Sequence, residues 1–365
     1  MNYRKTRAEI STKAFKKNLA WLKPYIGEGQ LMAIVKADGY GHGVAAVTAA
    51  VAAEVDGFGV GFTDEAIALR AVNADKQKPV LILEGCQTPQ ELQLAAANNF
   101  SVVVHSVNQL QQLEQVALKQ PLNVWLKVDT GMHRLGLPLA EIADYLLRLK
   151  QTKNVASTVI MSHLANADNG NPLNHYQWQQ FGQLKRDNPQ LMYSLHNSAA
   201  LLNPQFSDGL SNHDWVRTGL LMYGINPSSV TEVQQHLVPA MSLKAPVIAT
   251  HDLNPGDAVG YGSAWIAKKP TRIATVAIGY ADGYPRQCSN GTPTGVCGKV
   301  APLVGRVSMD MITIDVTDIP EATVGDDVEL WGQQIDVREV AACADTIAWH
   351  LLTGTSIRVP RIIID

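Results

Sequence analysis

Eight short apolar runs, separated by segments of a different periodicity, constrain the fold of this chain more than any other feature. They occupy residues 31–36, 58–61, 80–83, 101–105, 124–128, 159–163 and 192–196, with a weaker one at 216–223. Valine, isoleucine and leucine dominate them, the composition of strands buried on both faces. Between them, segments such as 44–55, 64–72, 107–118, 139–150 and 176–186 repeat apolar residues three and four apart, the spacing of a helix with one buried face. Strands alternating with helices make parallel βαβ units. Eight units in about 200 residues suit an α/β TIM (β/α)8 barrel better than an open doubly wound sheet. No Gly-x-Gly-x-x-Gly opens a helix after the first run, which weakens the open alternative further.

From about Pro239 the helical spacing stops. Strand-like runs at 247–250, 273–278, 300–307, 311–316 and 327–330 are divided by turn sequences such as Asn254-Pro255-Gly256-Asp257 and Asn290-Gly291-Thr292-Pro293. A C-terminal all-β domain follows, with the boundary near 230–237. The expected division is a barrel over 1–235 and a β-rich domain over 236–365, the first residues of the chain pairing with the second domain. One helix at 337–352 and a terminal strand at 357–364 are also expected. A chain of 365 residues is long enough for both cores.

Composition excludes several classes. A hydrophobic fraction of 46% and a charged fraction of 17% describe an ordinary globular chain. No apolar run is long enough to span a bilayer, so no membrane partner is expected. A net charge of −3 gives no footprint for nucleic acid. The start, Met1-Asn2-Tyr3-Arg4-Lys5, lacks the apolar core of a signal peptide. Cys86, Cys288, Cys297 and Cys343 have the spacing of neither a zinc ribbon nor a disulfide scaffold, so a reduced, cytoplasmic protein is expected. The histidines form no HExxH pair, and no metal is expected.

In a barrel of this kind reactive groups gather at the C-terminal ends of the strands. Lys36 ends the first run and is followed at once by Ala37-Asp38-Gly39-Tyr40-Gly41-His42-Gly43. Desolvating an ammonium there favours the neutral amine, the form that acts as nucleophile or base. The glycines allow close backbone approach to a bound group, and Tyr40 offers it a hydroxyl. Lys127 and Asp129 end the fifth run, His163 the sixth; Asn197 and Ser198 follow the seventh, and Arg217 and Gly219 lie at the eighth. Each alone has an ordinary explanation: a satisfied core histidine, a solvated strand end, a helix cap. Their convergence on one face is what points to chemistry. Ser198 opens a helix-like run, and with Gly219 and Leu220 it forms a plausible cup for the phosphate of a cofactor or a substrate.

Six ordered motifs carry a resemblance to a known family. They are Val35–Gly43, Lys127-Val128-Asp129-Thr130-Gly131-Met132-His133-Arg134-Leu135-Gly136, 215–224, 259–262, Gly279-Tyr280-Ala281-Asp282-Gly283-Tyr284-Pro285-Arg286, and 304–311. Together they resemble alanine racemase, a pyridoxal-phosphate (PLP) enzyme of fold type III, over nearly the whole chain. The resemblance implies that Lys36 holds pyridoxal 5'-phosphate as a Schiff base and that Tyr40, Ser198, Gly219 and Leu220 contact its phosphate. It implies that His163 lies beside the pyridine ring and that Arg217 partners the ring nitrogen, leaving it unprotonated. Racemisation needs acid–base groups on both faces of Cα. The resemblance supplies Lys36 and Tyr261, the latter from the other subunit of a homodimer with shared active sites. It also assigns substrate contacts to Arg134, Met309, Asp310 and Tyr284, and makes Lys127 a candidate for carbamylation. The implied reaction interconverts L-alanine and D-alanine, supplying D-alanine for peptidoglycan.

Two positions depart from the family pattern. Gly39 stands where many members have alanine, and Ile357 precedes Arg358-Val359-Pro360-Arg361 where many have a tyrosine. The second removes one expected hydrogen bond to the cofactor phosphate. Three other readings compete. A non-catalytic PLP-binding protein would lack the β-domain with Tyr261, Met309 and Asp310. A fold-type III decarboxylase would want an acid in place of Arg217. A racemase of broader specificity, acting on serine, differs too little in sequence to be separated.

Overall fold

The computed structural model describes residues 4–73, 75, 77–206 and 210–365. They form two compact units: one from 13–39 and 47–238, the other from 4–12, 40–46 and 239–365.

The first unit is the barrel. Its parallel strands are Gln30–Ile34, Gly57–Val60, Val80–Ile82, Phe100–Val104, Leu122–Asp129, Val155–Met161, Met192–Ser194 and Trp215–Thr218, hydrogen-bonded in that order. The last strand pairs back onto the first, Arg217 opposite Met32. The gap between the seventh and eighth strands is bridged by Tyr193 N–H donating to the His213 carbonyl at 2.8 Å and Arg217 N–H donating to the His196 carbonyl at 2.9 Å. A closed parallel barrel leaves no free strand edge. The strand interiors are apolar on both faces; Val60, Ile82, Val102, Leu126 and Ile160 have no exposed surface. The helices start where their caps dictate. Thr88 accepts the Glu91 N–H ahead of Pro89–Ala97, with proline at the first position, and Ser106 caps Val107–Gln115.

The sequence carries the first strand two residues too far and the last one five residues too far. The strand Gln30–Ile34 ends before Lys36, and 219–224 is a turn in which Met222 N–H donates to the Gly219 carbonyl. Buried apolar residues continue past both strand ends, so hydrophobicity alone carries no stop signal there.

The second unit is antiparallel in the main. Its principal sheet runs Lys299–Pro302, Pro293–Val296, Asp327–Trp331, Met241–Leu253, Arg7–Ile10, Arg361–Ile363; the long strand Met241–Leu253 also pairs with Thr271–Val276, which pairs with Ile312–Asp315. The N-terminal strand Arg7–Ile10 is held antiparallel to Met241–Leu253 and parallel to Arg361–Ile363. Asp282, with no exposed surface, accepts from both terminal guanidinium nitrogens of Arg4 at 2.5 and 2.6 Å. A buried carboxylate requires such a partner. The single C-terminal helix expected at 337–352 is two helices, Val337–Cys343 and Ala348–Gly354, broken where Asp345 takes φ 50°. Gly41 (φ 76°) lies where any Cβ would sit 2.1 Å from the Leu352 carbonyl oxygen, and its own carbonyl accepts from Arg361 at 2.9 Å. Only glycine fits there.

Candidate active site

The barrel unit brings together Lys36, Lys127, Arg134, His163, Ser198, Arg217, Gly219 and Leu220. Tyr40, Tyr261, Tyr284, Met309 and Asp310 belong to the other unit.

Lys36 leads into one turn of left-handed helix. Ala37 (φ 51°, ψ 52°), Asp38 (53°, 50°) and Gly39 (62°, 44°) wind it, and Tyr40 follows at φ 51°. Gly39 N–H closes it on the Val35 carbonyl at 2.9 Å. Each non-glycine residue in this conformation costs about 1–2 kcal/mol, so the turn persists only because its surroundings impose it. Glycine at position 39 suits the turn.

Arg217 is 4% exposed. One terminal nitrogen donates to Ser194 Oγ at 2.5 Å; the other donates to the Ser162 carbonyl at 2.8 Å and reaches His163 Nδ1 at 3.3 Å. No carboxylate pairs with this buried cation among the described residues. Burial pulls its guanidinium down to about 10, and it stays charged at neutral pH. Because Arg217 can only donate, His163 Nδ1 must be an acceptor, which leaves the imidazole neutral with its proton on Nε2. Burial, then Arg217 and Lys127, holds His163 well below its ordinary value, in agreement with that geometry.

Lys127 is 8% exposed. Burial first, then the Arg217 charge, pulls its ammonium down to about 8; Arg134 and Lys36 act in the same direction, and Glu84 opposes them. Four cations thus converge at the strand ends with one carboxylate against them. Ser198 is the first residue of the helix Ser198–Leu202, whose cap is Asn197. Its hydroxyl accepts the Gly219 N–H at 2.8 Å, so the loops after the seventh and eighth strands meet there.

In the β-rich unit Tyr261 stands on a tight turn between Gly260 (φ 69°) and Gly262 (φ 70°) and is 70% exposed. Met309 is 53% exposed. Its segment is clamped: Tyr280 and Ala281 N–H donate to the carbonyls of Ser308 and Met309, both at 3.0 Å. Arg358 donates to Asp310 at 2.8 Å and lies 3.6 Å from Asp282, so carboxylates and guanidiniums alternate from Arg4 to Asp310.

The description "Alanine racemase, N-terminal domain" matches residues 10–227, and "Alanine racemase, C-terminal domain" matches 240–363. The chain belongs to the alanine racemase family. The alanine racemase of Alteromonas mediterranea is 44% identical over 362 residues, 99% of either chain. The structure of biosynthetic alanine racemase from Pseudomonas aeruginosa superposes with a TM-score of 0.93 at 40% identity, covering 99% of this chain and 100% of that one. That of alanine racemase from Bartonella henselae, with covalently bound pyridoxal phosphate, gives 0.87 at 28% identity, covering 98% and 99%.

One candidate is corrected. Tyr284 has no exposed surface; its ring stacks on Trp331 at 6.2 Å and 10°, and burial pushes its phenol well above its ordinary value. It is a core residue and cannot touch a substrate. Gly283, at φ 96°, turns the chain inward after Tyr280, which is the tyrosine left 39% exposed. Sequence shows two tyrosines beside a turn and does not say which one the turn buries. Sequence reasoning also missed the residues that hold the site's charged groups. Ser162 and Ser194 accept from Arg217, and Gln177, fully buried, donates to the His163 carbonyl at 3.0 Å and accepts the Ala165 N–H at 2.9 Å. The available signal was polarity, and it covers Ser194 alone: a buried hydroxyl must have partners, whereas Ser162 accepts through its backbone carbonyl, which any residue would supply.

Proposed function

We propose that this chain is a pyridoxal-phosphate-dependent alanine racemase acting as a homodimer with shared active sites. The observation that carries the reading is Arg217: a buried, permanently charged donor held by neutral acceptors and next to a neutral imidazole. It is a partner for a lone pair, as on an unprotonated ring nitrogen. The other residues fit the same group. Within the barrel unit the Ser198 hydroxyl and the loop at Gly219 and Leu220 offer donors to a phosphate, and Lys36 offers an amine beyond a strand end; a further phosphate contact from the Tyr40 hydroxyl is part of the proposal. The surplus of cations matches a ligand carrying a phosphate and a carboxylate.

Pyridoxal phosphate, when bound, draws electrons from Cα of an amino acid and makes its hydrogen acidic. Everything else falls to the protein. Arg217 keeps the ring nitrogen from taking a full proton, so the withdrawal is restrained and the flanking bases matter more. Lys36 holds the cofactor and, as a free amine, moves a proton on one face of Cα; Tyr261 of the partner subunit moves one on the other. A phenol needs cationic surroundings to work as a base near neutrality, and the Arg217, Lys127 and Arg134 charges around His163 supply them. Arg134 with Met309 and Asp310 of the partner subunit orients the substrate carboxylate. The dimer is supported by Tyr261, Met309, Met311 and Ile357, all exposed on the β-rich unit, Ile357 at 98%. Apolar groups so displayed favour a covering surface. Among the described residues no helix is long and apolar enough to cross a membrane; the working compartment is the cytoplasm.

Starting from either alanine enantiomer, polarimetry should reach the same zero rotation, because mirror-image molecules have equal free energy. Serine enantiomers in the same panel should turn over more slowly. Loss of carbon dioxide, net transamination or no reaction would contradict the assignment; faster serine turnover would favour the broader racemase.

Lys127 is proposed to be carbamylated: its neutral amine adds to carbon dioxide and releases a proton, which makes an anion able to orient Arg134. The unmodified amine leaves its own signature. Its folded value of about 8 lies below the ordinary 10.5, so between those pH values the unfolded chain binds more protons and stability rises with pH. Denaturant midpoints in buffer free of carbon dioxide should show wild type gaining up to about 3 kcal/mol on Lys127→Met across that window. Bicarbonate should abolish the gain. A flat profile without bicarbonate would contradict the burial of a free amine.

A further inference from the structure

We infer that Glu65 is a positioning residue for Lys36, holding in place the left-handed turn that the cofactor lysine leads into. The inference rests on the reading that Lys36 carries the cofactor. Glu65 lies in the first turn of the helix Thr63–Val72. Its Oε1 accepts the Ala37 N–H at 2.7 Å, and its Oε2 accepts the Gly61 N–H at 2.6 Å and the Phe62 N–H at 3.4 Å. One carboxylate therefore ties the peptide joining Lys36 to Ala37 to the loop after the second barrel strand.

Helix capping alone does not account for this. A capping acid reaches back to the backbone of its own N-terminus, and here that bond, to Phe62, is the longest of the three. Glu91 at the start of Pro89–Ala97 gives the comparison. Among the described residues its backbone N–H partners lie in its own loop, Gln87 at 2.6 Å and Thr88 at 3.0 Å, and its reach to the preceding loop is a 3.3 Å bond from the Thr63 hydroxyl, which holds no strained backbone. Glu65 adds a short, charge-assisted bond across to a different strand, onto the first residue of a strained turn. Strained backbone relaxes unless its neighbours over-determine it. Without the Glu65 bond, Ala37 and Asp38 are released toward ordinary conformations and Lys36 loses its fixed direction.

The test compares Glu65→Gln with Glu91→Gln. Glutamine has one acceptor oxygen, so it cannot keep both short bonds at position 65. In cofactor-free protein, the Ala37 amide should exchange with solvent deuterium at least about tenfold faster in Glu65→Gln, and be unchanged in Glu91→Gln. Reconstitution with pyridoxal phosphate should be about tenfold weaker, and kcat should fall with little change in KM. Adding Ala37→Gly to Glu65→Gln should recover part of the reconstitution loss, because glycine adopts the left-handed conformation freely. A merely structural Glu65 would lower stability in both variants alike, leave Ala37 exchange and reconstitution at wild-type values and gain nothing from Ala37→Gly; that result overturns the inference. Wild-type protein reduced with borohydride reports separately on the underlying reading: label absent from Lys36 would end that reading, whatever the Glu65 variants do.

Discussion

Lys36→Ala is expected to lower racemisation of both alanine enantiomers by at least about a thousandfold, since one residue both anchors the cofactor and serves as an acid–base group. The loss should be chemical and not a failure to fold. Lys36 lies beyond the end of its strand, and no ion pair among the described residues depends on it. The buried framework around it, Arg217 with Ser194 and Ser162, is untouched by the change. A small primary amine added to the variant should restore a measurable fraction of the activity, because it supplies in solution the group the side chain lacks. Chiral chromatography of the reaction mixture measures both effects. Activity within tenfold of wild type, without added amine, would remove Lys36 from the mechanism.

Tyr261→Phe is the second large effect. Only a hydroxyl is removed, from a side chain that is 70% exposed, so folding should not change. Turnover should fall by about 10²–10⁴, the range of a lost acid–base group. The equal free energies of the two enantiomers force kcat/KM to fall equally in both directions, so initial rates cannot show which face was disabled. Exchange of the α-hydrogen with deuterated solvent can. The enantiomer whose Cα–H faces Lys36 should still exchange it without inverting, and the other should exchange far more slowly. Loss of exchange from both to the same extent would contradict one base on each face.

The barrel was legible because two periodicities alternate along its length, and the β-rich unit because turn residues replace helical spacing after Pro239. The charged residues of the site were legible because a strand end in a barrel is a known address: Lys36, Lys127 and His163 lie at the ends of apolar runs, and Arg217 is a charge set inside one. What sequence did not carry was direction. Nothing in Ala37-Asp38-Gly39-Tyr40 announces a left-handed turn, since Gly39 favours that conformation and Asp38 tolerates it, but Ala37 and Tyr40 do not. Tyr280 and Tyr284 have the same chemistry, and a single positive φ at Gly283 decides which is core. The helix break at Asp345 is invisible to apolar spacing that continues on both sides. Ser162, Ser194, Gln177 and Glu65 were missed for another reason. Their function is to accept from or donate to backbone and side-chain groups distant in the chain, and such partners exist only after folding.

Mixing inactive subunits tests the shared two-base site most directly. Lys36→Ala and Tyr261→Phe chains, each inactive alone, are unfolded and refolded together, and heterodimers are confirmed by native mass spectrometry. If Tyr261 acts across the interface, each heterodimer has one site with an intact lysine and an intact tyrosine. Random pairing should then return about a quarter of the wild-type activity. Proven heterodimers with no activity above that of the separate variants would contradict the account.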